Sequence, residues 1–226
     1  MAQRLDELQQ WWLALSAIQV EAFGGRHHTL RIDDDQPGPW QEALKNSWDV
    51  TSTQSLIETG KWLLVEGHSK RFEKLLGRRP YAWDIGRFAW LIRASVSAGY
   101  IVNDETAWEM YEGVTTMMLA AYNGWAGFAD DFLGGRRLWL GDRLDEEKAA
   151  ETHKRYERAV RRLLDPDNAD SVWQRVEWET PLGYLKLVRP EPAPEAPPVG
   201  PGGHNAGDFQ RLQDQVENKI RHGWGN

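Results

Sequence analysis

One stretch constrains this chain more than any other. Between Tyr81 and Ala98, the residues Ala82, Ile85, Ala89, Ile92 and Val96 recur at three- and four-residue steps on one face, while Trp83, Phe88, Trp90 and Leu91 fill another. A helix that is apolar on most sides has to be enclosed, so this segment predicts a central helix with others wrapped around it. Pro80 suits its first position and Gly99 its stop. Asn103 or Asp104 then caps a further helix carrying Ala107, Tyr111, Val114, Met118 and Tyr122, and the two are expected to pair antiparallel.

The same periodicity runs through the flanks. Leu5, Leu8, Trp12, Leu15 and Ile18 share the face of a first amphipathic helix that ends at Gly24 and Gly25. Residues 26–40, with three aspartates followed by Pro37, Gly38 and Pro39, read as a surface loop. Thr51 and Gln54 form a capping-box pattern ahead of a helix over about 52–66. A short helix with Phe72, Leu75 and Leu76 stops at Gly77. Trp125, Phe128, Ala129 and Phe132 repeat helically until Gly134 and Gly135, and a helix over about 145–164 stops at Asp165–Pro166. Gly183 to Val188 alternates for the length of one short strand.

The fold class is therefore mainly α: one multi-helix domain over 1–188, with six or seven helices and at most a minor strand or hairpin. Six prolines and three glycines between Pro190 and Gly203 make 189–205 an extended linker that cannot pack a core. Beyond it, in 206–226, Phe209, Leu212, Val216 and Ile220 set up either a small amphipathic helix that needs a docking surface or a disordered tail.

Composition then narrows the functional classes. The chain has no cysteine, which removes disulfides, thiolate metal sites and cysteine nucleophiles and points to a reducing compartment, the cytoplasm. Charges interrupt the apolar positions of the first 20 residues, so no signal peptide is expected. No segment reaches the roughly 18 uninterrupted apolar residues of a membrane span. A formal charge of −7 argues against general nucleic-acid binding, and the one basic cluster, Lys154, Arg155, Arg158, Arg161 and Arg162, reads as a solvated helix face. Thirteen tryptophans demand an unusually aromatic core or interface, in which many indole N–H groups need acceptors.

Several aromatic and glycine positions form an ordered set: Ser47, Trp48, Asp49 and Val50; Trp62 through Gly67 and His68; Ala82 through Gly86 and Arg87; Ala98 to Ile101 with Glu105 and Trp108; Tyr122 with Trp125; and Gly135 with Arg136. In this order the set resembles domain of unknown function 1266, a bacterial family typified by the YbeU and YbeR proteins, over about 45–141. What the resemblance implies is an α-helical domain of toxin, immunity or stress-related gene neighbourhoods, with no catalytic residue.

Four chemical constellations stand out from the residues themselves. Asp84 and Arg87 lie three residues apart on an otherwise apolar helix, an ion pair that either orients packing or holds a polar ligand in a cleft; the structural role is favoured. His68 is the candidate general base if it faces a cleft lined by Asp84 or Glu105, against the commoner role of a cation on a helix's last carbonyls. Asp130 and Asp131 diverge by about 100° on a helix and cannot easily share an ion. His27, His28, Asp33, Asp34 and Asp35 are suitable metal-ligand types but have no recognised spacing, so no metal and no cofactor are expected. Gly134 to Arg137 and the scattered serines match no phosphate-binding or nucleophile motif.

The leading expectation is a non-catalytic protein-binding protein, of immunity type against a cognate toxin or effector. Its contact residues would be Trp83, Trp108, Trp125 and Arg136, together with the tail residues Phe209, Leu212, Val216 and Ile220. The rival is a hydrolase-like enzyme with His68, Asp84, Arg87 and Glu105 in a helical cleft. A homo-oligomer built through the terminal helices is the third reading. Trp83 and Trp125 are either core or interface residues, and burial decides which.

Overall fold

The computed structural model of the chain describes residues 5–34 and 36–188. The linker 189–205 and the tail with Phe209, Leu212, Val216 and Ile220 lie outside the described residues. Eleven helical segments follow one another: α1 (Glu7–Ala14), α2 (Ala17–Phe23), α3 (Pro37–Trp48), α4 (Thr53–Val65), α5 (His68–Leu76), α6 (Tyr81–Ser97), α7 (Asp104–Ala121), α8 (Trp125–Gly141), α9 (Glu146–Leu164), α10 (Val172–Arg175) and α11 (Thr180–Val188). The protein is mainly α, and no strand occurs among the described residues. No helix among them is long and apolar enough to cross a membrane.

The segment apolar on most sides is the axis of the fold. Every side chain of α6 except Trp90 is buried, and α2, α3, α4, α5, α7 and α8 all pack against it. Asn103 caps α7 by accepting from Glu105 N–H, and α7 lies along α6 as the sequence pattern predicts.

Five local readings change, each for a physical reason. Residues 37–40 are helical rather than loop, because Pro37 and Pro39 occupy the first turn of α3, where a missing N–H costs no helical hydrogen bond. The first helix is two: the chain breaks at Leu15–Ser16, where the Ser16 hydroxyl donates to Leu13 O at 2.8 Å and accepts from Arg93 Nη1 at 3.0 Å. The cap of α4 is Ser52, reciprocated by Ser55, rather than Thr51 with Gln54. Gly134 and Gly135 do not stop α8, which runs on to Gly141. A Cβ at Gly135 would stand 2.6 Å from Trp83 Cβ, so this glycine serves the approach of α8 to α6. The short strand expected over 183–188 is the end of α11, with Pro181 in its first turn.

Two anchors, one aromatic and one cationic, tie flanking segments together around this axis. Trp11, Trp125, Trp173, Trp178 and Phe128 form one cluster joining α1 and α8 to residues 172–178, with Trp125 stacked on Trp173 at 5.3 Å and 8°. Their indole N–H groups end on backbone carbonyls: Trp11 on Trp178, Trp125 on Val176, Trp173 on Ala14 and Trp178 on Tyr122. The wholly buried Arg93 gathers the loop after α2, donating to Thr29 O at 2.8 Å, to Leu30 O at 3.3 Å and to Arg26 O. Burial among carbonyls, with no carboxylate partner in these contacts, brings its pKa down to about 10.

Candidate functional site

The site grows from the corner between α4 and α5. Gly67 turns that corner at φ 27, and a Cβ there would meet Asp84 Oδ2 at 2.2 Å and Leu63 O at 2.3 Å, so the corner requires glycine. The space lets α5 begin directly on the Asp84 carboxylate, which is 1% exposed and accepts from Ser69 N–H at 2.8 Å. An anion at a helix N-terminus satisfies an orphan donor and meets the positive end of the macrodipole. Arg79 does the converse for α4: its guanidinium donates to Leu63 O at 3.1 Å and Val65 O at 3.0 Å, to Ser69 Oγ at 2.8 Å, and lies 3.7 Å from Asp84. Sequence reasoning missed Arg79, because only the fold brings it to the end of α4.

On the other side Asp84 binds Arg87, whose Nε also donates to Trp83 O at 3.1 Å. The guanidinium of Arg87 is buried between two indoles, 4.1 Å from the ring of Trp83 and 5.4 Å from that of Trp48. Its two terminal nitrogens reach His68 Nδ1 at 3.3 and 3.2 Å. A guanidinium only donates, so Nδ1 accepts and the neutral imidazole carries its proton on Nε2. His68 stands edge-on between Trp62 at 5.0 Å and Trp139 at 6.2 Å. Outside them Arg143 stacks on Trp139 at 4.4 Å. Trp62, His68, Arg87, Trp139 and Arg143 line an open groove of about 430 Å³ together with Trp48, Asp49 and Glu58.

The electrostatics follow from this order of neighbours. Burial first, and then the Arg87 charge, hold the His68 pKa down to about 4, with Arg143 and Arg71 adding in the same direction and Asp84 opposing. Histidine was expected at a helix C-terminus; it is instead the first residue of α5, where an imidazolium would meet the wrong end of the dipole. An anion behind an imidazole orients it and stabilises its protonated form, and here a cation occupies that position. The Asp84 oxygens are taken by Ser69 N–H and by two guanidinium groups. The arrangement can present donors and aromatic faces to a ligand, and it leaves no activated nucleophile.

The depressed histidines also set an acid limit on stability. His27 and His153 lie below their ordinary value for the same leading reason, burial. These groups take protons near pH 6.5 in the unfolded chain and only at lower pH in the folded one, so their stabilisation is complete above pH 6.5 and falls towards pH 4. Urea midpoints should drop from pH 7 to pH 5, and the drop should be shallower for His68→Gln. Equal slopes for the two proteins would remove His68 from this account.

The remaining candidates are dispersed. Glu105 is exposed in the first turn of α7, beyond the far end of α6 from Asp84, a separation of roughly 20 Å by helical rise, so the four-residue catalytic cluster does not assemble. Trp83 and Trp125 are core residues, buried against Phe132 and Trp173 respectively. Trp108 is half-buried on Trp12 and Tyr111. Arg136 is buried over the Tyr156 ring at 3.8 Å and donates to His153 Nδ1 at 3.2 Å. None of these four lines the groove, whereas Trp48, Trp62, Trp139 and Arg143, which were not singled out as site residues, do.

Asp131 is buried and Asp130 exposed. Asp131 binds Arg78 and accepts from the Tyr122 hydroxyl, and burial raises its carboxyl. In the loop after α2, His27 faces Glu21 at 3.0 Å, Asp34 pairs with Arg26, and Asp33 accepts from Trp40. No group of three or more His, Asp or Glu residues able to hold a metal ion forms among the described residues.

Residues 74–178 match the family described as "Protein of unknown function (DUF1266)". The matched span starts and ends later than the stretch 45–141 that carries the resemblance in sequence, and so takes in α9, α10 and the Trp173–Trp178 cluster. No curated protein and no solved structure matches the chain.

Proposed function

We propose that this protein, which matches the DUF1266 family over residues 74–178, is a non-catalytic protein-binding protein whose contact site is the groove between Trp48, Trp62 and Trp139. The observation that carries the reading is Trp62, 44% exposed beside two further indoles and two arginines. Exposed tryptophan and arginine around a concavity have the composition of an interface hot spot. The immunity-type case, in which the partner is a toxin or effector, is the particular form that the family resemblance adds.

The hydrolase reading has less support. Its base would be an imidazole backed by a guanidinium, its carboxylate is taken up by Ser69 N–H, Arg79 and Arg87, and Glu105 is remote. Affinity capture with the full chain should recover one partner at near-stoichiometric amount. Trp62→Ala should weaken the measured Kd about 30-fold, the equivalent of losing roughly 2 kcal/mol at a hot spot, with no change in melting point. A partner held equally well by the variant, or none at all, would overturn the reading.

A further inference from the structure

We propose that the group this groove recognises is a carboxylate borne on an apolar body, an acidic side chain or chain end of the partner segment; the inference rests on the protein-binding reading above. Three residues of the groove lining carry donors with no acceptor or ion-pair partner among the described residues. Arg87 occupies His68 Nδ1, so Nε2–H is the free donor of the neutral ring, and no acceptor for it occurs among the described residues. Arg143 stacks on Trp139 and makes no ion pair among the described residues. The Trp139 Nε1–H, shielded from solvent, has no acceptor either.

Charge points the same way. The groups acting on His68 are Arg87, Arg143 and Arg71 against Asp84, and Asp84 is already bound to Arg87, Arg79 and Ser69 N–H. Arg71 pairs with Asp142, so the cations that line the groove are Arg87, bound to Asp84, and the exposed Arg143. The exposed acids Asp49 and Glu58 line the same groove. A doubly charged phosphate would be repelled by Asp49 and Glu58 more strongly than a singly charged carboxylate, whose apolar body also meets the indole faces.

The probes are 4-methylpentanoate, its neutral amide 4-methylpentanamide, and inorganic phosphate, each added to the full chain. The readouts are the His68 imidazole resonance, assigned with His68→Gln, and the indole resonances of Trp62 and Trp139 between pH 7 and 5, where the carboxylate probe stays largely ionised. The carboxylate should raise the His68 pKa by about one unit or more, because an anion beside the ring favours its charged form, and should shift both indoles. The amide should leave the imidazole unchanged, and Arg143→Gln, an exposed substitution, should cancel the carboxylate's effect.

Equal responses to the amide would overturn the carboxylate while leaving the aromatic groove as the contact site. A larger response to phosphate would overturn the choice of anion. No response to any probe would overturn the carboxylate, and the Trp62→Ala capture then decides separately whether the groove binds protein at all.

Discussion

Trp125→Ala should destabilise the fold by about 3–5 kcal/mol and lower its melting point by roughly 10 °C. The indole stacks on Trp173, stands edge-on to Trp178 at 4.7 Å and touches Trp11 at 5.8 Å, so its removal opens a cavity bounded by three further indoles, one from α1 and two from residues 172–178. It also strips Val176 O of its donor at 2.7 Å. Trp125→Phe should restore part of the lost packing but not the hydrogen bond, and should fall between the two. A thermal melt of Trp125→Ala within about 2 °C of the parent would show that the cluster is not what fastens α1 and residues 172–178 to α8.

The second large effect is expected at Asp84. Asp84→Ala leaves Arg87 and Arg79 buried without their anion and takes the acceptor from Ser69 N–H, three losses at one corner. Breaking a buried ion pair from one side costs about 3–5 kcal/mol, mostly the uncompensated charge that remains. Adding Arg87→Met to Asp84→Ala should therefore cost less than the sum of the two single changes, and urea unfolding of the four proteins in the cycle measures the difference. Strict additivity would mean that Asp84 acts on α5 alone and that Arg87 is held by its indoles.

These two sites show why the candidate groove was only partly legible beforehand. Spacing placed Asp84 beside Arg87, since i and i+3 share a helix face, and the structure keeps that pair. Trp62 entered only as one of an ordered set of aromatic and glycine positions and Trp139 not at all, because their exposure depends on which neighbours the fold supplies. His68 was singled out for its chemistry, yet its setting follows from Gly67: that glycine turns the corner tightly against Asp84 and Leu63 O, and the imidazole stands at a helix start rather than a helix end. Glu105 shared motif order with these residues but sits past the opposite end of α6.

Sequence by itself determined the class of fold and its axis. An all-round apolar run at helical spacing has no stable home except inside other helices, and the stops at Gly24, Gly77 and Gly99 and the cap at Asn103 are local backbone and hydrogen-bonding chemistry. Tertiary structure alone decided the rest. The prolines of α3 are compatible with a loop or a first helical turn, and Gly135 with a stop or a close helix crossing; packing chose. The meeting of Arg79, Asp84, Arg87 and His68, with Trp62 and Trp139 around them, depends on contacts between α4, α5, α6 and α8, and periodicity within one helix carries no information about which face of another it will meet.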